Sequence, residues 1–167
     1  MIRCGRAALL AATAIFAAGC GGALRNSPRT IRYAAHDFRD GRPVSLTDYR
    51  RQPILLTSFA SWCAECIVEL PRLERYYRSH ADPTVVAVDL DGASGRRAAL
   101  ALVARNRMTM PIWVDGDSRF VSEFNAPGTP MTVLLTADHR VAKTWFGPVA
   151  FDTREFAATV TRRLRSP

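Results

Sequence analysis

The chain has 167 residues, 48% of them hydrophobic and 23% charged, with a formal net charge of +8. That balance excludes a disordered, fibrous or low-complexity protein, and the length suits one domain of roughly 100–150 residues rather than two. Four cysteines, Cys4, Cys20, Cys63 and Cys66, are too few to replace a core with disulfides, so an apolar core must carry the fold. No apolar run reaches the roughly 18 residues of a membrane-spanning helix. The cations are almost all arginine, Lys143 being the only lysine, and they are scattered. No aromatic-interleaved basic stretch accompanies them, so they read as a solvated surface and not as a nucleic-acid site.

The first segment reads as an export signal over residues 1–19. Arg3 and Arg6 precede the apolar run Ala7 to Ala18, a length typical of a signal-peptide core. Ala17-Ala18-Gly19-Cys20 resembles a bacterial lipoprotein cleavage box, with alanine where leucine is usual at position 17. The resemblance implies a lipidated Cys20 at the head of the mature chain. Removing Arg3 and Arg6 with the signal takes the formal charge from +8 to +6. Residues 20–33, with Gly21, Gly22, Asn26, Ser27 and Pro28, then read as a lipid-anchored flexible tether, and residues 34–167 as the domain.

Strand and helix signals alternate along that domain. Asp40-Gly41 between Phe38 and Val44 predicts a hairpin, and Pro53 to Phe59 a buried strand. A helix follows from Cys63, with Cys66, Leu70, Leu73 and Tyr77 on one face, Glu74 and Arg78 paired one turn apart, and a kink at Pro71. Thr84 to Asp89 predicts a second buried strand. Ser94 to Arg107 predicts a helix with Leu100, Val103 and Ala104 inward. Ile112 to Val114 predicts a short strand and Asp117 to Phe124 a short helix. Met131 to Thr136 and Val141 to Phe146 pair across a turn, and a last helix to about Leu164 is capped by Asp152 with Glu155. The order argues an α/β sheet covered on both faces.

Cys63-Ala64-Glu65-Cys66 is the chemical centre. Cys63 follows a buried strand and opens a helix, where free N–H groups and the positive helix end stabilise a thiolate. Cys66 lies one turn on and can attack a disulfide formed at Cys63, so the pair can cycle between dithiol and disulfide. Half a zinc site and an inert structural disulfide are the other readings of such a pair. There is no second C-x-x-C, and His36, His80 and His139 are at no metal-like spacing to it.

The stretch Phe59-Ala60-Ser61-Trp62-Cys63-Ala64-Glu65-Cys66-Ile67-Val68-Glu69-Leu70-Pro71 resembles the TlpA/ResA-like branch of the thioredoxin superfamily. Asp37-Phe38, Asp40-Gly41, Val88-Asp89 and Gly128-Thr129-Pro130 extend the likeness over roughly residues 35–165. The resemblance implies a thioredoxin-like fold: a central mixed sheet flanked by helices, with an N-terminal β-hairpin extension. It implies a membrane-tethered protein disulfide reductase of the periplasm or cell envelope, acting in cytochrome c or copper-centre maturation. Its partners would be a disulfide-containing protein substrate and an upstream membrane thiol donor. The expected protein is a monomer whose redox group is the Cys63–Cys66 disulfide, with no other cofactor, no metal and no nucleic-acid partner.

Carried over by residue, Cys63 is the exposed nucleophile, Cys66 the resolving thiol and Pro130 a cis-proline facing them. Thr129 offers backbone to an extended substrate, and Trp62 shields the sulfur. Glu69 is a proton acceptor for Cys66 or tunes its pKa. Three departures stand out. Thr57 occupies the place of a buried aspartate or asparagine, and Phe59 that of a tryptophan. Glu65 stands where proline is usual, placing negative charge near Cys63 and near the substrate, which opposes the thiolate and favours a reductant. A peroxiredoxin would need threonine at Ala60. A copper-binding chaperone using Cys63 and Cys66 with Met131 nearby is the alternative of a different class, since soft thiolates bind Cu(I).

Overall fold

The computed structural model describes residues 29–165. Cys4, Cys20, the expected signal segment and the tether up to Pro28 lie outside the described residues. Among the described residues the strands are β1 (Ala34–Asp37), β2 (Pro43–Ser45), β3 (Ile54–Phe59), β4 (Thr84–Asp89), β5 (Ile112–Val114), β6 (Met131–Leu135) and β7 (Val141–Phe146). The helices are α1 (Ala64–Ser79), α2 (Gly92–Arg105), α3 (Arg119–Phe124) and α4 (Arg154–Arg165), and a 3-10 turn that the sequence did not signal covers Leu46–Tyr49. The strands form one sheet in the order β2-β1-β5-β4-β3-β6-β7. β3, β4 and β5 run parallel and the other pairings are antiparallel, so the sheet is mixed and the β1–β2 hairpin extends one edge.

Alternation along the central strands sorts side chains between two cores. Leu55 and Phe59 of β3, with Val85 and Ala87 of β4, face Cys66, Leu70 and Leu73 of α1, Ala99 and Leu102 of α2, and Phe156 and Val160 of α4. Ile54 and Leu56, with Val86 and Val88, face Trp113, Phe120 and Phe124, together with Ile31 and Tyr33. All of β3 is buried, which is why its sequence reads as a continuous run.

Several boundaries differ from the sequence reading. The packed chain begins before residue 34. Ile31 and Tyr33 are buried, the Ile31 N–H donates to the His139 carbonyl at 2.8 Å, and Thr30 bridges Arg140. Residues 29–33 therefore belong to the domain and not to a tether. α2 buries Ala99 and Leu102, while Leu100 is 46% exposed and Ala104 is exposed. The run Ala98 to Ala104 is apolar all round, so its periodicity carries no phase. α1 continues through Pro71, which removes one hydrogen-bond donor without ending the helix; Tyr77 packs half-buried against the core with Cys66, Leu70 and Leu73, and Tyr76 beside it is buried more deeply. Asp152 does not cap α4. It binds Arg75 at 3.1 Å, and the Thr153 hydroxyl accepts the Phe156 N–H instead, one residue further on.

Glu74 fastens α1 to the chain before β5. Its carboxylate accepts the Thr109 N–H (3.0 Å), the Thr109 hydroxyl (2.5 Å), the Met110 N–H (3.2 Å) and Arg78 Nε (2.7 Å). Burial pushes its pKa up, but these four bonds outweigh it and hold the carboxyl below its ordinary value. A depressed folded pKa stabilises the fold above the unfolded value, and that contribution is lost as pH falls through the folded one. Glu74→Ala leaves the buried Met110 N–H unpaired, removes three further bonds and should destabilise by about 2–3 kcal/mol. Chemical denaturation of the parent and the variant at pH 7 and pH 3 checks this, with the gap narrowing at the lower pH.

Candidate active site

Cys63 is the N-cap of α1, in extended conformation (φ −87°, ψ 109°). β3 delivers the chain to this point, and the Cys63 N–H closes a turn onto the Ala60 carbonyl at 3.1 Å. The Cys63 Sγ accepts the Cys66 N–H at 3.1 Å, so the helix start already offers a donor to that sulfur. The two cysteines form a disulfide of 2.04 Å. Their order of access is as expected, but Cys63 is only 4% exposed and Cys66 1%, so the nucleophile is not openly exposed in the oxidised form.

The loop before β6 covers them, with a cis Thr129–Pro130 peptide bond. The Thr129 carbonyl oxygen lies 3.6 Å from Cys63 Sγ, and its hydroxyl lies 3.6 Å from Cys66 Sγ. In the disulfide neither sulfur carries a proton, so the contact with the Thr129 carbonyl becomes a hydrogen bond only on reduction, whereas the Thr129 hydroxyl can donate to Cys66 Sγ in either state. Ser58 of β3 holds this loop: its hydroxyl accepts the Met131 N–H at 3.0 Å and meets the Thr129 hydroxyl at 3.0 Å. Sequence reasoning passed over Ser58, although a serine in an otherwise apolar buried strand is a signal that something polar faces it. Thr57 pairs with the Thr132 hydroxyl at 3.1 Å, and no acid stands at that position.

Glu69 is 3% exposed. Its Oε2 accepts the Val149 N–H at 3.0 Å, and its Oε1 is buried without a partner. Burial raises its pKa to about 7, partly offset by the Val149 bond and by the Arg72 charge. Glu65, one turn earlier, is exposed. Both line an open cleft of about 460 Å³ with Val68, Arg72, Pro148 and Val149. A smaller cleft of about 180 Å³ lies along Pro127–Pro130, Phe146 and Gly147. Trp62 is 71% exposed, so its ring stands in solvent. Val68 and Phe146 are exposed as well.

The copper reading loses its third ligand. Met131 is 1% exposed and packs into the core on the other side of the sheet from Cys63 and Cys66. The His80 ring stacks on Tyr76 at the far end of α1, and His139 sits in the β6–β7 turn beside Tyr49. Among the described residues no three His, Cys, Asp or Glu side chains gather to hold a metal.

A thioredoxin-like sheet with a Cys-x-x-Cys pair at a helix start, facing a cis-proline loop, defines a thiol–disulfide oxidoreductase. Residues 32–144 match the AhpC/TSA family, and the chain belongs to that family. The sporulation thiol–disulfide oxidoreductase A of Bacillus subtilis is 26% identical over 113 residues, covering 66% of this chain and 68% of that protein. The thiol–disulfide oxidoreductase ResA of Bacillus cereus is 20% identical over 108 residues, 65% of this chain and 62% of that one. A secreted Mycobacterium tuberculosis disulfide oxidoreductase homologous to Escherichia coli DsbE superposes with a TM-score of 0.63 at 21% identity, covering 78% of this chain and 95% of that structure. Within its family the chain is thus of the ResA-like thiol–disulfide oxidoreductase type.

The Glu69 carboxyl generates a pH signature. Its folded pKa, about 7, lies above the ordinary 4.5. The folded chain therefore holds this proton more tightly, and the associated stability is full below the unfolded value and lost as pH rises towards 7. The loss amounts to roughly 3 kcal/mol. Denaturation at pH 5 and pH 8 should show that decline in the parent, and Glu69→Gln should lessen it, the remainder coming from buried Asp89, whose pKa is also raised.

Proposed function

We propose that the chain reduces protein disulfides outside the cytoplasm, held at a membrane by lipid on Cys20. The observation that carries the reading is the setting of Cys63. Its sulfur lies at the start of α1, 3.6 Å from a backbone carbonyl of the cis-proline loop, between two open clefts with exposed apolar rims. An extended polypeptide can pair with the Thr129 backbone and lay side chains into those clefts.

In the reaction, the Cys63 thiolate attacks one sulfur of a substrate disulfide. A Cys63–substrate bond forms, the substrate disulfide breaks, and the other substrate sulfur leaves as thiolate. Glu69 takes the proton of Cys66. The Cys66 thiolate then attacks Cys63 Sγ, forming the disulfide seen here and releasing the second substrate sulfur. The substrate gains two electrons and the dithiol loses two, which an upstream membrane thiol donor replaces. Glu69 stands on the same helix as Cys66, with a pKa near neutrality that suits a proton acceptor. Thr129 and Pro130 present backbone, and Trp62 and Glu65 touch the substrate at the rim. The exposed Glu65 charge works against the Cys63 thiolate, which favours a reducing couple.

The lipobox-like Ala17-Ala18-Gly19-Cys20 and the secreted structural relative support the envelope location. Cytochrome c or copper-centre precursors are the substrates in this reading, and the chain acts as a monomer. Cys66→Ser should leave Cys63 joined to its partners as mixed disulfides that dithiothreitol releases. Partners recovered in reduced form in the parent, together with a potential well below the roughly −120 mV of DsbA, are the expected result. A potential near that value, or no trapped partner and no insulin reduction, overturns the reading.

A further inference from the structure

Behind the Cys63 turn lies a polar cluster that the reaction above does not use. Asp91 stands between β4 and α2. Its Oδ2 accepts the Ser61 backbone N–H at 2.7 Å, and its Oδ1 accepts the Ser61 hydroxyl at 2.7 Å. Aspartate is a favoured N-cap residue, and Asp91 occupies the N-cap of α2, yet its side chain makes no capping bond there. Both oxygens serve the other loop. Asp89, fully buried at the end of β4, accepts the Asp91 N–H at 3.0 Å and so holds Asp91 from behind.

Two glycines make room for this arrangement. The chain turns at Gly92 with φ +66°, a left-handed conformation open to glycine. Gly95 lies one turn into α2, where alanine would ordinarily suit the helix better. A Cβ at Gly95 would fall 2.5 Å from Asp91 Cβ and 2.7 Å from its Oδ1. The helix gives up its preferred residue where the Asp91 side chain passes.

We infer that Asp91 is a positioning residue for the Cys63 thiolate, acting through Ser61. Ser61 lies inside the turn that the Cys63 N–H closes onto Ala60. Fixing Ser61 fixes that turn, and with it the place of Cys63 Sγ against the free N–H groups at the start of α1. The stabilisation that a helix start gives a thiolate is confined to the first turn, so it depends on that placement. The charge of Asp91 acts in the opposite direction, since a nearby carboxylate disfavours ionisation of the thiol. Clamp and charge therefore predict shifts of opposite sign.

The inference rests on the thiol–disulfide activity and is tested apart from it. The reduced full chain is alkylated with iodoacetamide across pH, and modification at Cys63 is followed by peptide mass spectrometry. Glu65, Glu69 and Arg72, the charged groups of α1 near Cys63, and Asp89 and Arg96 behind Asp91 stay unchanged throughout. Gly95→Ala, which alters no charge and places a good helix former in α2, should raise the Cys63 midpoint by about one pH unit, a roughly tenfold slower reaction below it. Asp91→Ala, which removes clamp and charge together, should raise it by less, and Asp91→Asn, which removes the charge but keeps an acceptor for Ser61, should stay at or below the parent midpoint. Midpoints unchanged in folded Gly95→Ala and Asp91→Ala overturn the inference. So does a downward shift in Asp91→Ala with Gly95→Ala unchanged, which would mark Asp91 as acting by charge alone.

Discussion

A sulfur at the first position of a helix has to be held from outside the helix. Cys63 accepts the Cys66 N–H from α1, but nothing within α1 fixes where the turn before it lies. The fold supplies that support from two neighbouring strand ends. β3 leads into the turn, and the end of β4 lies beside β3 in parallel register, Phe59 opposite Asp89. This brings Asp91 within reach of Ser61. On the other side, antiparallel β6 brings Thr129 over the sulfurs, and Ser58 ties that loop back to β3. A parallel neighbour and an antiparallel neighbour of one buried strand thus hold the reactive turn from both flanks.

Buried carboxylates show how environment separates residues of one chemical type. Glu74 and Glu69 lie on the same helix, five residues apart in sequence, and both are nearly inaccessible. Glu74 meets four donors and is held in its charged form. Glu69 meets one, keeps an oxygen unpaired and sits near neutrality. The first is suited to fastening, the second to exchanging a proton. Asp89 resembles Glu69: burial raises its pKa, the neighbouring Asp91 carboxylate adds to the rise, the Asp91 N–H and the Arg96 charge offset it in part, and one oxygen has no partner.

Most of the architecture was legible in the sequence because the buried strands are continuous apolar runs and the cysteine motif fixes where α1 begins. The phase of α2 was not, since a stretch apolar on every side has no preferred face. The start of the domain was missed because Ile31 and Tyr33 sit among polar neighbours, and their burial depends on a surface made by Trp113, Phe120 and Phe124, distant in sequence. At the site, the cysteine pair and the Thr129-Pro130 loop were legible from motif spacing. Ser58 and Asp91 were not, because each acts across 30 or more residues through a single side chain.

The hydrogen bond from Ile31 to His139 and the bridge from Thr30 to Arg140 bring the chain in at the β6–β7 turn, the end of β6 away from Pro130. Anything attached ahead of Arg29 therefore pulls on the domain from behind its reactive face. A fluorescent or affinity handle placed there would leave both clefts beside Cys63 clear. The same handle placed after α4 would follow a helix that packs against Trp145, the neighbour of the cleft residue Phe146.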